Sequence, residues 1–179
     1  MDTIAERTPL SIDTDSQPVV QAAKAIQPKL RAYKDEIERE QRMPKPLVEE
    51  FHEAGFYRMT LPAGLDGHQL DPISYTRAVE YLAEGCGSVG WNLANCAIGQ
   101  LVTIGMPQDG VEEMYPKGHK TAMAGTAVQG GGQGVPVQGG YRVTGRWQFG
   151  TGCQEASWML GSFQIVEDGK PRLDRKSVV

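Results

Sequence analysis

The sequence predicts an α+β fold in which a helical domain comes first and the beginning of an antiparallel β domain follows. Up to about residue 120, apolar residues recur every three or four positions, as they do in amphipathic helices. Beyond that point glycine becomes frequent, and short stretches of alternating or β-branched residues appear, as in strands. Helices followed by strands are typical of segregated α+β chains. We therefore expect a disordered tail over residues 1–15, a helical domain over 16–120 and a partial β domain over 121–173.

The composition argues against several classes of protein. The 179 residues carry a net charge of −4 and their 18 Lys and Arg are scattered, whereas nucleic-acid binding needs clustered cations. No apolar run approaches the roughly 20 residues that span a bilayer, and residues 1–15 lack the features of a secretory signal. Three cysteines without a CxxC motif and three histidines give little basis for a metal site. We expect a cytoplasmic protein with reduced thiols.

Prolines and a glycine mark the first helices. Ser16 and Pro18 suit the N-cap and first turn of a helix whose apolar pattern continues to Ile37, and Pro28 inside that pattern should kink or divide it. A second helix follows, and Gly55 provides the left-handed residue that ends it.

Three more helices are expected before the strands. Asp71 and Pro72 have the character of an N-cap and a first turn. Ser88 can cap the next helix, which has almost no charged residues and should therefore be buried on most sides. Pro107 is expected at the start of a short last helix.

Three strands are predicted, over residues 121–128, 141–149 and 157–166. The glycine-rich segment 130–134 is interpreted as a flexible loop. Neither Lys-Ser/Thr nor a helix follows it, as a phosphate-binding loop or a dinucleotide fingerprint would require. Residues 174–179 are treated as a non-native tail, so the β domain should be incomplete.

Trp147, Phe149 and Thr151 are the candidate ligand-binding residues. They are spaced two apart, so they would share one face of an extended segment. An aromatic wall with a hydroxyl at its edge suits a planar heterocycle. Packing in the core of a β domain explains the aromatic residues about as well. Trp91 on the fourth helix has the same two interpretations, as a core residue or as a substrate contact.

Nearly the whole sequence resembles the acyl-CoA dehydrogenase superfamily. The resemblance rests on the N-terminal helices, on the Leu-Pro-Ala-Gly-Leu-Asp-Gly loop of residues 61–67 and on residues 140–152. In dehydrogenases the corresponding strand ends in Trp-Ile-Thr, whose Thr bonds the N5 edge of the flavin. Thr151 matches that Thr and Phe149 matches the aromatic residue. The resemblance therefore implies a flavin site, to which Thr126 on the earlier strand is a weaker candidate contributor.

Within the superfamily, residues 86–91 and 139–152 look closer to the two-component (group D) flavin monooxygenases. Dehydrogenases carry Thr-Glu-Pro and Gly-Ser-Asp near the earlier strand, where residues 125–134 here read Gly-Thr-Ala-Val-Gln-Gly-Gly-Gly-Gln-Gly; this departure disfavours a CoA substrate. The resemblance implies that a separate reductase supplies reduced FAD or FMN. It also implies that oxygen forms a flavin C4a-hydroperoxide, which hydroxylates an aromatic or polycyclic small molecule.

The resemblance further implies a C-terminal helical bundle that this sequence lacks. That bundle would contain the catalytic base, much of the flavin pocket and the contacts of a homotetramer, so the 179-residue chain should itself be inactive. Two alternatives stay open. One is a fragment of an FAD-dependent acyl-CoA dehydrogenase, and the other is a non-enzymatic helical interaction module.

Overall fold

The computed structural model describes residues 13–126, 131–167 and 170–178. Six helices come first: α1 Pro18–Ala25, α2 Gln27–Glu40, α3 Lys45–Glu53, α4 Pro72–Gly85, α5 Gly87–Gly99 and α6 Gln108–Met114. Five strands follow: β1 Met123–Thr126, β2 Gly132–Val137, β3 Gly140–Gly145, β4 Trp158–Glu167 and β5 Lys170–Val178. The predicted order of helices and then strands is confirmed. None of the described helices is long and apolar enough to cross a membrane.

The first two helices are separated where the sequence predicts a break. Pro28 occupies the first turn of α2, where its missing N–H costs no helical hydrogen bond. α3 ends before Gly55, which has the left-handed φ of +78°. Phe56 then folds back onto Phe51, with ring centroids 5.8 Å apart. At the beginning of the chain, residues 1–12 of the predicted tail lie outside the described residues, and Thr14–Ser16 forms a short 3-10 turn.

The caps of α4 and α5 differ in how well the sequence predicts them. The Asp71 side chain accepts hydrogen bonds from the backbone N–H groups of Ile73 and Ser74, so the predicted cap is confirmed. The prediction for Ser88 is wrong, because the N-cap of α5 is the extended Cys86, two residues earlier, and its side chain makes no cap hydrogen bond. A single residue joins α4 to α5, which leaves no space for a separate capping turn.

The helical core is a continuous cluster of large apolar side chains. Leu30, Leu47, Phe51, Phe56 and Leu82 are fully buried within it. α5 contributes only one face, and the prediction that it is buried on most sides is wrong. Trp91 is 65% exposed and Ile104, in the 3-10 turn that continues the helix, is 77% exposed. The low charge of this segment therefore reflects an open apolar face in the described part of the chain.

The sheet is mixed, whereas the sequence predicts an antiparallel one. Its order is β1-β4-β2-β3, with β5 also paired to β4. β4 runs parallel to both β1 and β2, while β2–β3 and β4–β5 are antiparallel. The long β4 returns to the sheet alongside two earlier strands, which the order of strands along the sequence does not reveal.

Two of the five strands are missed by the sequence analysis. β2 includes most of the segment predicted as a flexible loop, and β5 includes residues 174–178 of the segment predicted as a tail. The prediction of a loop is wrong because the glycines of β2 lie beneath aromatic rings. A Cβ at Gly134 would overlap the ring of Phe163, and a Cβ at Gly132 would lie 2.5 Å from the ring of Trp147. Glycine here permits close packing rather than mobility.

Candidate functional site

The candidate ligand-binding residues lie just beyond the end of β3. This strand stops at Gly145, and the chain then turns. Phe149 has a left-handed φ of +60° and is 78% exposed. The prediction that Trp147, Phe149 and Thr151 share one face of an extended segment is therefore wrong, because the alternation of side chains requires an extended backbone throughout.

Trp147 and Thr126 are brought together at an apolar pocket of about 260 Å³. Thr126 is buried at the end of β1, and the partly buried Trp147 ring forms part of the wall. Most of the other lining residues are apolar side chains or glycines of β3, β4 and the segment that follows β3: Val143, Gly150, Met159, Leu160, Gly161 and Phe163. An apolar, half-enclosed pocket with a single hydroxyl can hold part of a flat heterocycle.

Glycines create the space for the Trp147 ring. A Cβ at Gly131 would lie 2.5 Å from the ring, one at Gly145 2.8 Å and one at Gly161 3.0 Å. The indole Nε1 donates a hydrogen bond to the Ser162 carbonyl oxygen at 2.7 Å. The ring is thus held flat against the sheet, in a fixed orientation.

Thr151 lies in a different cavity, a cleft of about 470 Å³ between the helices and the segment after β3. Polar groups from three parts of the chain line this cleft, including Arg42, Asn92 and Glu155. Gly150 lines both the cleft and the apolar pocket. The hydroxyl of Thr151 and the wall formed by Trp147 therefore lie on two sides of one glycine.

Burial shapes the electrostatics of the cleft. Burial raises the pKa of Glu155, while the charge of Arg42 and a hydrogen bond from Asn92 oppose that rise. Burial also raises the pKa of the Cys96 thiol to about 12, so this thiol is protonated and unreactive at neutral pH. Cys153 at the mouth of the cleft is exposed.

Trp91 lines neither of these two cavities. It lies on the open face of α5 with the exposed Ile98, and Leu101 in the 3-10 turn that follows is also exposed. His52 and His68 lie apart from both cavities, and burial lowers the pKa of each. Within the described segments, no three His, Cys, Asp or Glu side chains are grouped so that they could hold a metal ion.

Several residues of the two cavities are not found by the sequence analysis. Met159 and Phe163 belong to a stretch rich in apolar residues, and this pattern predicts a strand but not a pocket wall. Arg42 and Glu155 are 113 positions apart in the sequence, so only the fold reveals that both line the same cleft. The two glycines of β2 do not identify their partners either, because glycine in a strand marks a bulge, a bend or a close approach without naming the group that approaches.

A family model matches the larger part of the helical region. Residues 15–110 match the N-terminal domain of acyl-CoA dehydrogenase, more than half of the chain. The chain belongs to this family. The resemblance described from the sequence is therefore confirmed, and so is the acyl-CoA dehydrogenase-like fold.

Relatives that match most of this chain at about 30% identity are oxygenase subunits of flavin-dependent monooxygenases. The chain is 31% identical over 153 residues to the oxygenase subunit HsaA of a flavin-dependent monooxygenase from Rhodococcus jostii, matching 85% of the chain and 40% of the relative. The crystal structure of the HsaA monooxygenase from M. tuberculosis superposes with a TM-score of 0.84 at 30% identity, covering 91% of this chain and 44% of that one.

A structure of XiaF from Streptomyces sp. in complex with FADH2 and glycerol has the same fold. Its TM-score is 0.83 at 23% identity, with 89% of this chain and 41% of that chain covered. The chain spans about two fifths of the length of these relatives.

Proposed function

We propose that the full-length protein is the oxygenase component of a two-component flavin-dependent monooxygenase that hydroxylates an aromatic or polycyclic small molecule. The observation that carries the proposal is the arrangement around Gly150. An apolar pocket walled by Trp147 meets a polar cleft containing Thr151 at this glycine, in a chain similar to flavin-dependent oxygenase subunits over most of its length. A reduced flavin, FAD or FMN, would be delivered by a separate reductase.

The residues at this junction fit a flavin. Its tricyclic ring needs an apolar surface, which the pocket offers, and close approach of the backbone, which glycine at position 150 permits. The ring also has a polar edge, for which the hydroxyls of Thr126 and Thr151 are the candidate partners. When bound, the flavin would supply the redox chemistry that activates oxygen.

The protein's own contribution is to orient the flavin and to exclude water. Trp147 and Phe163 form part of an apolar wall that keeps water from one side of the site. The Thr151 hydroxyl would hydrogen-bond to the flavin edge. One such bond contributes about 1 kcal/mol net, equivalent to roughly a fivefold change in a rate. The apolar enclosure therefore contributes more than this bond to shielding the bound flavin from water.

In this proposal Phe149 and Trp91, both exposed, face the flavin or the substrate. The catalytic base would belong to a C-terminal helical bundle, and the assembled protein would be a cytoplasmic homotetramer.

The test uses the full-length protein mixed anaerobically with chemically reduced flavin and then with oxygen. We expect oxidised flavin to appear only after a measurable delay in the absorbance trace. Thr151→Ala should shorten that delay about fivefold, whereas Thr151→Ser, which keeps the hydroxyl, should preserve most of it. Thr76→Ala is the matched control, because Thr76 is exposed on α4 and its hydroxyl donates to the Pro72 carbonyl oxygen of the same helix.

The same experiment discriminates the second class of enzyme in this family. Immediate reoxidation in the wild-type protein would contradict the monooxygenase proposal. Reduction of bound flavin by an acyl-CoA thioester, without any added reductant, would then identify a dehydrogenase. A stable protein that binds no flavin in either state would contradict both proposals and favour an interaction module.

A further inference from the structure

The turn that carries Thr151 is held together by its own backbone. The N–H of Cys153 donates to the Gly150 carbonyl oxygen at 3.0 Å. The N–H of Ala156 donates to the Gly152 carbonyl oxygen, also at 3.0 Å. Because these two hydrogen-bonded turns overlap along the chain, the segment behaves as one unit. The place where this unit is attached to the rest of the protein therefore sets where the Thr151 hydroxyl lies.

Ser157, the residue that follows the turn, attaches it to Ala122, the residue that precedes β1. The Ser157 hydroxyl donates to the Ala122 carbonyl oxygen at 3.2 Å and accepts a hydrogen bond from the Ala122 N–H at 3.2 Å. The backbone N–H groups of Ser157 and Trp158 donate to the same carbonyl oxygen at 2.9 and 3.2 Å. The hydroxyl of Ser157 thus bonds both backbone polar groups of Ala122, and we call this set of bonds the Ser157–Ala122 contact.

Ala122 is a fixed point in the fold. It is fully buried, and Thr121 before it is tied to the helical region. The Thr121 hydroxyl donates to the carbonyl oxygen of Met114, the last residue of α6, at 2.7 Å. The Thr121 N–H donates to Nδ1 of His119 at 3.2 Å. Since a buried N–H is destabilising without an acceptor, the Ser157 oxygen serves the Ala122 N–H as well as the turn.

The same contact bears on Thr126, the other candidate hydroxyl. β1 and β4 run side by side in parallel, and both begin next to the Ser157–Ala122 contact. Thr126 ends β1, whereas Thr151 lies in the turn that leads into β4. The two hydroxyls are therefore carried by segments that are joined at Ser157.

We propose that Ser157 is a positioning residue that sets the place of the Thr151 hydroxyl relative to Thr126. By bonding both polar groups of Ala122, the Ser157 hydroxyl holds the end of the turn against the beginning of β1. The assignment of the two threonines to the edge of a flavin rests on the proposed function. The attachment of the turn does not.

Substitutions at Ser157 test the attachment without a flavin. Ser157→Ala removes the hydroxyl and with it the acceptor of the Ala122 N–H, whereas Ser157→Thr keeps the hydroxyl at a position that is exposed and has space for a methyl group. In the full-length protein we expect amide hydrogen exchange of Ala122 and residues 153–156 to become about fivefold faster in Ser157→Ala. Exchange should remain close to the wild-type rate in Ser157→Thr.

Ser16→Ala is the matched control. It removes the same kind of bond, from the Ser16 hydroxyl to the Asp13 carbonyl oxygen at 3.0 Å, in an exposed turn before α1, and should leave exchange of Ala122 unchanged. Ser157→Cys, whose thiol is a weaker hydrogen-bonding group, should give an intermediate rate and replaces Ser157→Ala if that variant does not fold. Wild-type exchange in both of these Ser157 variants, or equally fast exchange in Ser157→Thr, would overturn the inference.

The delay before flavin reoxidation tests the role in positioning. If Ser157 acts through Thr151, Ser157→Ala shortens the delay at saturating reduced flavin by up to about fivefold, as expected for one hydrogen bond. In a Thr151→Ala background the same substitution should then shorten it no further. An unchanged delay, or equal shortening in both backgrounds, would contradict the role in positioning. If the wild-type protein shows no delay at all, the proposed function fails, while exchange of Ala122 still decides whether Ser157 holds the turn.

Discussion

The helical region and the sheet fill their interiors in opposite ways. The helices bury large side chains against one another, and Leu30, Phe51 and Leu82 have no exposed surface. In the sheet, the Trp147 ring instead lies over positions that carry no side chain, among them Gly131 and Gly161. Most of the helical interior is therefore set by large side chains, whereas the position of the Trp147 ring on the sheet depends on side chains that are missing.

This difference has a consequence for where the candidate site lies. A close-packed helical core has little space for a ligand, and both cavities described above lie along the segment after β3, where glycine is frequent. The apolar pocket remains open because Gly150 and Gly161 add no side chains to it. The rigid helices then serve as the support on which the turn bearing Thr151 is placed.

Removing a large side chain from the helical core should have the largest effect on stability. Phe51 is fully buried and contacts the rings of Phe56 and Tyr57, with centroids 5.8 and 6.5 Å away. We expect Phe51→Ala to lower the free energy of unfolding by about 3–5 kcal/mol through the cavity that it leaves. Equilibrium denaturation in urea would measure this loss. Ile104→Ala, at an exposed apolar position, should change it by less than about 0.5 kcal/mol.

Adding one methyl group to the sheet should have the next largest effect. A Cβ at Gly145 would overlap the Gly131 carbonyl oxygen and lie 2.8 Å from the Trp147 ring. Because neither the strand nor the ring can move without breaking other contacts, we expect Gly145→Ala to cost about 2–3 kcal/mol. The loss should appear in urea denaturation and as reduced Trp147 fluorescence anisotropy in a protein with its other two tryptophans replaced by phenylalanine.

The control for that substitution lies at the other end of the same strand. Gly140 has no atom within 4 Å of a Cβ position, so Gly140→Ala should be close to neutral. Equal losses at the two glycines would show that the cost arises from the strand backbone. The contact between the Trp147 ring and the glycines would then not be the source of the cost, and the difference drawn between the helical region and the sheet would be wrong.

The same contrast explains what the sequence can predict. Helical periodicity is a pattern of side chains, and with Pro28, Gly55 and Asp71 as boundaries it predicts the helices to within a few residues. The strand β2 is missed because its glycines resemble a loop, and their partner rings, Trp147 and Phe163, come later in the chain. No local pattern reports a contact with a residue that far away.

The candidate site is predicted in part for the same reason. The sequence predicts ligand-binding residues within 147–151, and the structure places Trp147 and Thr151 at adjoining cavities. Their division between two cavities is not predictable, because it depends on the left-handed backbone at Phe149, an uncommon conformation for a residue with a side chain.

A smaller effect is expected from the polar end of the Trp147 ring. The indole Nε1 donates to the Ser162 carbonyl oxygen at 2.7 Å, and Trp147→Phe removes that donor while keeping an aromatic ring. We expect a loss of about 1–2 kcal/mol in the free energy of unfolding. Trp158→Phe is the matched control, since Trp158 is also partly buried but packs on the apolar cluster beside β1. If the two substitutions lower the free energy of unfolding equally, the hydrogen bond does not hold the ring. Its packing on Gly131, Gly145 and Gly161 then orients it.

The smallest effect concerns the end of a helix, where a charge rather than packing is decisive. Hydrogen bonds from Ser74 and Ile73 hold the pKa of the Asp71 carboxyl below its usual value. A lowered pKa means that the carboxylate stabilises the folded protein above the unfolded pKa of about 4. This stabilisation is lost as the pH falls through the lower folded pKa.

Asp71→Ala should therefore lower the melting temperature by about 2–4 °C at pH 7. The difference from wild type should be smaller at pH 2 than at pH 7. Asp35→Ala, at an exposed position inside α2, should show little change at either pH. A difference at Asp71 that persists in acid would mean that the cap acts through its hydrogen bonds, which a neutral carboxyl group also accepts, and not through its charge. The end of this helix would then be set by hydrogen-bond geometry, as the orientation of the Trp147 ring is.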